Sequence, residues 1–384
     1  MNKQLKVCSS NTKVDVVKFD SILLFSFLSL LSFSIVMVAS ASISIAEKYN
    51  VPDFYFTIHH LIYLIVSLVG CFLITLVPTK YIEKISMCSA ILGMILLVLV
   101  FIPGLSRSVN GAFRWVFLGP ISMQASEFAK LLLIIYMAGY LVRRKENVRI
   151  NFGGFVAPLI VLAMFDILLL LEPDFGAMFI VSCTVISLLF IAGVKLRYLF
   201  LLLPFAGVVI VSLIFTSKYR LQRIIGFLHP WDDQFDKGYQ LVQSLIAFGR
   251  GGWFGIGLGS SVQKLLYLPE AYTDFIFAII AEELGFVGAV VIILLLSVIT
   301  VRCLKIAQTA MIAKKFFIAY LAYGISFWIA LQSIVNIGVN IGLLPTKGLT
   351  LPFVSYGGNS LLVCCLAIGI LFRIDFELRS YEKK

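Results

Sequence analysis

Apolar runs dominate this chain, and their lengths fall in a narrow range. Runs that read as spans cover residues 21–45, 54–77, 85–103, 125–142, 154–171, 175–193, 197–216, 274–301, 316–340 and 359–372, the last of them short. Coiled as a helix, about 20 apolar residues match the ~30 Å hydrocarbon core of a bilayer. There every backbone group must find its partner within the protein. The pattern predicts an all-α polytopic membrane protein of about ten transmembrane helices.

The polar connections are short, with one exception. Residues 217–273 form a long loop between the seventh and eighth runs, rich in Gly and aromatics. A loop beyond ~15 residues without regular structure is usually functional or disordered. Phe227, Trp231, Phe248, Trp253 and Phe254 argue against disorder and suit contact with the membrane surface. The 341–358 loop is also punctuated by Gly and Pro and carries Lys347. Gly255-x-Gly257-x-Gly259 lacks the strand–turn–helix context of a nucleotide loop and reads as a flexible loop. The division is then a tail (1–20), a single membrane domain (21–372) and a second tail (373–384).

Charge orients the spans. With the N-terminus inside, the inside segments hold about 20 of the 31 Lys and Arg, all in short loops or tails. They include Lys80, Lys84, Arg143, Arg144, Lys145, Arg149, Arg302, Lys305, Lys314 and Lys315. Basic residues concentrate in cytoplasmic loops, so both termini are expected in the cytoplasm and the long loop outside it.

Composition agrees. Of 384 residues, 60% are hydrophobic and only 13% charged, with a mean hydropathy of +1.02. A soluble domain carries nearer ~25% charged residues. The net charge of +11 would suggest nucleic acid in a soluble protein. Here it reflects inside loops held against anionic lipid, so no nucleic-acid partner is expected. None of the 7 Cys falls in a loop placed outside, so no disulfide is expected. The three His (His59, His60, His229) lack metal-ligand spacing and read as interfacial or structural. The first apolar run is too long for a cleavable signal peptide.

Ionisable residues inside spans are costly and tend to have roles. Glu127 and Lys130 stand three apart on the fourth span, as a structural ion pair or part of a polar cavity. Asp166 suits a polar contact between helices, with Glu172 and Asp174 just beyond its span. Glu282 and Glu283 are adjacent, so at least one must face the bundle interior. Asp274 opens the eighth span at the membrane boundary, where an N-cap and a functional carboxylate are both open readings.

Several stretches resemble one family. They are NGAFRW (110–115), SEFAKL (126–131), LEPDFG (171–176), YRLQR with PWDD (219–233) and GYQLVQSLIAFGRGG (238–252). LPEAYTDFIFAIIAEELG (268–285), LPTKGLTLPFVSYGG (344–358) and RIDFELR (373–379) follow in order. Together they resemble the SEDS family (shape, elongation, division and sporulation), and its cell-division branch more than its elongation branch. The resemblance implies a ten-helix fold and a peptidoglycan glycosyltransferase that polymerises lipid II on the outer face of the inner membrane. It implies work at the division septum with a class B penicillin-binding protein and other division proteins. It maps the family's key acid onto Asp274, and its basic and SEFAK positions onto Arg114, Lys347, Glu127 and Lys130. The chain departs from the family pattern at Tyr272 (commonly His), Ala125 (commonly Pro) and Asn359 (commonly Ser).

The chemistry fits one carboxylate with cations. A sugar leaving on diphosphate needs charge stabilisation, while the attacking 4-hydroxyl needs a general base. Asp274 is the candidate catalytic base, with Asp232 and Asp233 as runners-up. Arg114, Arg223, Arg250, Lys264 and Lys347 are candidates to bind the diphosphate, and Glu127 and Lys130 are further candidates to bind substrate. No tightly bound cofactor is expected, although a divalent cation (Mg or Mn) could share that task. Direct attack predicts inversion at the anomeric carbon, and the lipid tails need a groove between helices. Two other readings remain: a lipid II flippase and a non-catalytic division scaffold.

Overall fold

The structure, a computed structural model, describes residues 19–382 apart from 110, 111, 120, 233 and 237. Most of the N-terminal tail, Asp233 and the last two lysines therefore lie outside the described residues. The chain order is α1 (Ser21–Lys48), α2 (Tyr55–Leu76), α3 (Thr79–Leu99), β1 (Ser106–Val109), β2 (Ala112–Leu118), β3 (Ile121–Gln124), α4 (Ala125–Arg143) and α5 (Lys145–Ile150). It continues with α6 (Phe152–Leu171), α7 (Phe175–Ile191), α8 (Leu196–Phe215), α9 (Lys218–Leu228) and α10 (Tyr239–Gly251). It ends with α11 (Ile276–Ile312), α12 (Phe316–Asn340) and α13 (Gly358–Glu382).

The protein is a polytopic helical membrane protein. Among the described residues seven helices are long and apolar enough to cross a bilayer: α1, α2, α3, α4, α6, α11 and α12. α7 is shorter, at 17 residues. α13 carries Arg373, Asp375, Glu377 and Arg379 in its second half. α4 and α12 are the most enclosed of the seven, while α2, α3, α6 and α11 turn apolar faces outward, as helices solvated by lipid do.

Two expectations about secondary structure need correction, and a third, about the glycine stretch, follows below. The fold is not all-α: 106–124 holds a three-stranded antiparallel sheet in the order β1-β2-β3, with Trp115 opposite Gln124 and Val116 opposite Met123. The 217–273 segment is not without regular structure, because it contains α9 and α10. Each is amphipathic enough to lie along a surface, so helix formation satisfies its backbone without a core of its own.

One end of the bundle is tied by ions. Asp20 caps α1 by accepting from the backbone N–H groups of Ile22 and Leu23, both at 3.1 Å. The same carboxylate accepts from Arg302 Nε at 2.7 Å. Asp375 accepts from the Asp20 backbone N–H at 3.0 Å and from Arg379 at 2.9 Å. The start of α1, the end of α11 and the end of α13 therefore meet at one end.

α11 bends near its start. Gly285 has φ 69° and ψ −167°, which breaks the helical hydrogen-bond ladder. The Gly-rich segment after α10 takes over the freed groups. Gly252 and Trp253 carbonyls accept from Phe286 and Val287, while Ile256 and Gly257 donate to the carbonyls of Glu282 and Glu283. A Cβ at Gly285 would lie 2.3 Å from the Gly255 nitrogen, and one at Gly255 would lie 2.1 Å from the Glu283 carbonyl oxygen. The Gly255/Gly257/Gly259 stretch is thus a docked strap and not a flexible loop.

Candidate functional site

Asp274 sits at the bundle end opposite Asp20, one residue before the Phe275 N-cap of α11. Phe275 makes no side-chain capping bond, and Asp274 does not cap the helix with its carboxylate. Its backbone is what is anchored. Asn336 Nδ2 and Asn340 Nδ2 on α12 donate to the Asp274 carbonyl at 2.9 and 3.0 Å. Asn340 Oδ1 also accepts from the Ala278 N–H at 3.1 Å. The side chain is left available and half-buried, with Gly348 so close that a Cβ there would meet Asp274 Oδ2 at 3.2 Å.

Burial pushes the Asp274 carboxyl up to about 7, and Glu270 raises it further, against Arg223 and Arg114, which pull it down. These neighbours are long-range arrivals. Arg114 on β2 donates to the carbonyls of Glu172 and Pro173 at 3.2 and 2.5 Å. Arg223 on α9 donates to the Thr346 carbonyl at 2.9 Å. Lys347 lies over the rings of Phe175 and Phe179 at 4.3 and 4.7 Å. Burial lowers its ammonium to about 8, Cys183 opposing and Arg223 adding to the fall. Two cations from separate segments, Arg114 and Arg223, thus act on the Asp274 carboxyl, and Lys347 follows in the loop whose Gly348 lies against it.

Asp174 joins two of the matched stretches. It caps α7 through the Ala177 N–H at 3.1 Å and accepts from Ser126 Oγ at 2.9 Å. Beside it, the Glu172 carboxyl is buried, and both its oxygens lack a hydrogen-bond partner. Burial pushes it up to about 9, helped by Asp174 and opposed by Arg114. Glu127 and Lys130 form the buried ion pair, at 2.9 Å. Lys130 also donates to Gln332 Oε1 at 3.0 Å, and Gln332 Nε2 donates to the Thr350 carbonyl at 3.0 Å. The pair therefore supports the loop that carries Lys347 and Gly348, and stands beneath the site.

Arg250 and Lys264 are placed elsewhere. Lys264 Nζ is buried 2.7 Å from Glu283 Oε1, and Arg250 Nε lies 3.5 Å from Glu282 Oε1. These carboxylates stand more than two turns along α11 from Asp274. Ser40 Oγ donates to Glu283, and the backbone N–H of Val262 donates to Glu282 at 3.2 Å. Both acids are fully buried and locally satisfied, so the two cations hold the strap. Asp232 lies 3.6 Å from His229 on an exposed surface and is not among the groups that act on the Asp274 carboxyl. Asp166 accepts from Ser182 at 2.8 Å, a polar contact between α6 and α7 as expected. Asn359 donates to the Ser122 carbonyl at 3.0 Å, tying α13 to β3.

The residues not singled out from the sequence are Glu270, Asn336 and Asn340. The two Asn lie four apart on an apolar span, and that spacing of side-chain amides was the available signal. Glu270 gave no comparable signal.

The family model described as cell cycle protein, FTSW_RODA_SPOVE, matches residues 21–380. The chain belongs to this family. A relative from Legionella pneumophila named probable peptidoglycan glycosyltransferase FtsW is 51% identical over 361 residues, covering 94% of this chain and 92% of the relative. One of the same name from Coxiella burnetii is 47% identical, covering 94% and 97%. Among solved structures, a chain of a peptidoglycan synthase complex that coordinates polymerization and crosslinking matches with TM-score 0.78 at 27% identity, covering 94% of this chain and 98% of that one. The rod shape determining protein RodA of Thermus thermophilus matches with TM-score 0.68 at 25% identity, covering 93% and 96%. The matched residues of the FTSW_RODA_SPOVE family span every element that builds the Asp274 site.

Proposed function

We propose that this chain is a peptidoglycan glycosyltransferase that polymerises lipid II, with Asp274 as general base. The observation that carries the reading is the half-buried Asp274 carboxyl, anchored through its backbone, acted on by Arg114 and Arg223, and packed against the Gly348 loop that also carries Lys347. The names of its relatives support the activity.

Asp274 takes the proton of the acceptor 4-hydroxyl as its oxygen attacks the donor's anomeric carbon. The bond from that carbon to the diphosphate breaks, and the lipid diphosphate leaves with the electron pair. Arg114, Arg223 and Lys347 stabilise the charge that develops on it. A single displacement inverts the anomeric centre. Glu127 and Lys130 act at a distance, by holding the Lys347 loop through Gln332 and Thr350. Among the described residues no three His, Cys, Asp or Glu side chains gather as a metal site. A Mg or Mn ion sharing the diphosphate charge would therefore be held mainly by the substrate.

In this reading ten helices cross the bacterial inner membrane, both termini are cytoplasmic, and Asp274 faces outward at the septum. A class B penicillin-binding protein and other division proteins are the partners, and the lipid tails lie in a groove between helices. Purified protein incubated with lipid II tests the activity. Wild type yields polymer, and Asp274→Asn yields none while inserting normally. Transbilayer movement of lipid II without polymer would make the protein a flippase, and neither result would leave a scaffold.

A further inference from the structure

A run of aromatic rings begins two residues before Asp274. The Tyr272 ring lies 5.3 Å from Tyr356 and 5.4 Å from Phe56, centroid to centroid. Phe56 in turn lies 5.4 Å from Tyr55 and 6.5 Å from Tyr49, and Tyr55 lies 4.2 Å from His59. Three segments far apart in sequence supply these rings. The backbone joins two of them, because the Tyr356 N–H donates to the Tyr272 carbonyl at 3.0 Å. Tyr272, Phe56 and Tyr356 are half-buried, whereas Tyr55 and Tyr49 are 39% and 64% exposed. The run therefore opens outward as it leaves Asp274.

We propose that Tyr49, Tyr55, Phe56, Tyr272 and Tyr356 form a saccharide-binding ledge that carries the glycan strand away from Asp274. A pyranose ring presents a C–H face that packs on an aromatic ring, and hydroxyls at its edge that bond to phenol oxygens. Among the described residues no hydroxyl of these four tyrosines is hydrogen-bonded to the protein, so each can bond to a sugar. A separate aromatic pair, Phe175 with Phe179, carries Lys347 and suits a diphosphate. An interfacial belt is the competing use of such rings, but a belt spaces them around the perimeter. This run is continuous and ends beside the reacting carboxyl. It also gives Tyr272 a use of its own, as the innermost stacking ring.

The proposal rests on the glycosyltransferase reading, and two readouts keep the two apart. The first needs no turnover: a lipid-free β-1,4-linked N-acetylglucosamine–N-acetylmuramic acid oligosaccharide is titrated against the purified full chain. Wild type and Asp274→Asn should bind it alike. The Tyr49→Ala, Tyr55→Ala double variant should bind about tenfold more weakly, the loss of one to two ring stacks. Tyr55→Trp keeps a ring and should bind with a change in indole fluorescence, which covers the case of a poorly folded double variant. The second readout is strand length from lipid II, expected to be several-fold shorter in the double variant. Oligosaccharide binding that is absent in wild type, or equal in the double variant, overturns the ledge even if polymer forms. Loss of thermal stability alone, with wild-type strand lengths, makes the rings a membrane belt and also overturns it. A wild type that binds the oligosaccharide but makes no polymer sinks the glycosyltransferase reading while leaving the ledge standing.

Discussion

A buried carboxyl beside another carboxyl keeps its proton, and beside a guanidinium it gives the proton up. Asp274 has both kinds of neighbour, Glu270 against Arg223 and Arg114, and sits at about 7. A base works only when deprotonated. Polymerisation should therefore rise through pH 7, falling about tenfold per unit on the acid side. Glu270→Gln removes a like charge and should move this limb to lower pH, while Arg223→Gln should move it higher. Lys347, lowered to about 8, must be protonated to stabilise the diphosphate, so activity should fall again above pH 8. Lys347→Arg keeps its charge at any such pH and should abolish the basic limb. Initial rates against pH for these variants check all of this, and a profile that ignores Glu270 would separate Asp274 from the acid limb. Asp274 was open from the sequence as a cap or a functional acid. The structure puts the N-cap at Phe275 instead, and the distant Asn336 and Asn340 fix the Asp274 backbone from another helix, which no local pattern could show.

At the scale of elements, the bend in α11 decides how the long segment is held. Its apolar run was plain in the sequence, and its break was not, because the break exists only with the strap docked into it. Glu282 and Glu283 read as costly charges until Arg250, Lys264, Ser40 and the strap's N–H groups are seen around them. Gly285→Ala puts a Cβ against the Gly255 backbone. It should lower stability by about 1–3 kcal/mol, measured by thermal unfolding in detergent. Lys264→Met strands the buried Glu283 charge, at a cost of about 3–5 kcal/mol, and adding Glu283→Gln should recover much of it. If instead Lys264→Met raised only the lipid II concentration needed for half-maximal rate, Lys264 would belong with the diphosphate after all. The sheet was missed for a different reason. Its Asn110-Gly111 dipeptide is a hairpin signal, but it lies between two spans, where the apolar pattern invites a loop.

Across the whole molecule, the apolar runs marked out the helices, and length separates them into two groups. Among the described residues seven helices are long and apolar enough to cross, while α7 is short and α13 mixes its apolar half with charge. The proposed orientation of the two ends rests on charge. Arg302, Arg373 and Arg379 sit with Asp20, Glu377 and Asp375 at one end. Asp274, Lys347 and the aromatic run sit at the other. Short basic loops stay in the cytoplasm, and on that ground we propose that the Asp20 end lies inside. Two single-cysteine reporters in a variant lacking the native cysteines test this directly. Phe235→Cys, at a position 86% exposed, should react with a membrane-impermeant maleimide in intact spheroplasts. Ile312→Cys, exposed at the far end of α11, should react only after the membrane is opened. The reverse pattern would put Asp274 in the cytosol, where a glycan strand cannot be laid down, and the base-catalysed reading would have to be abandoned with the orientation.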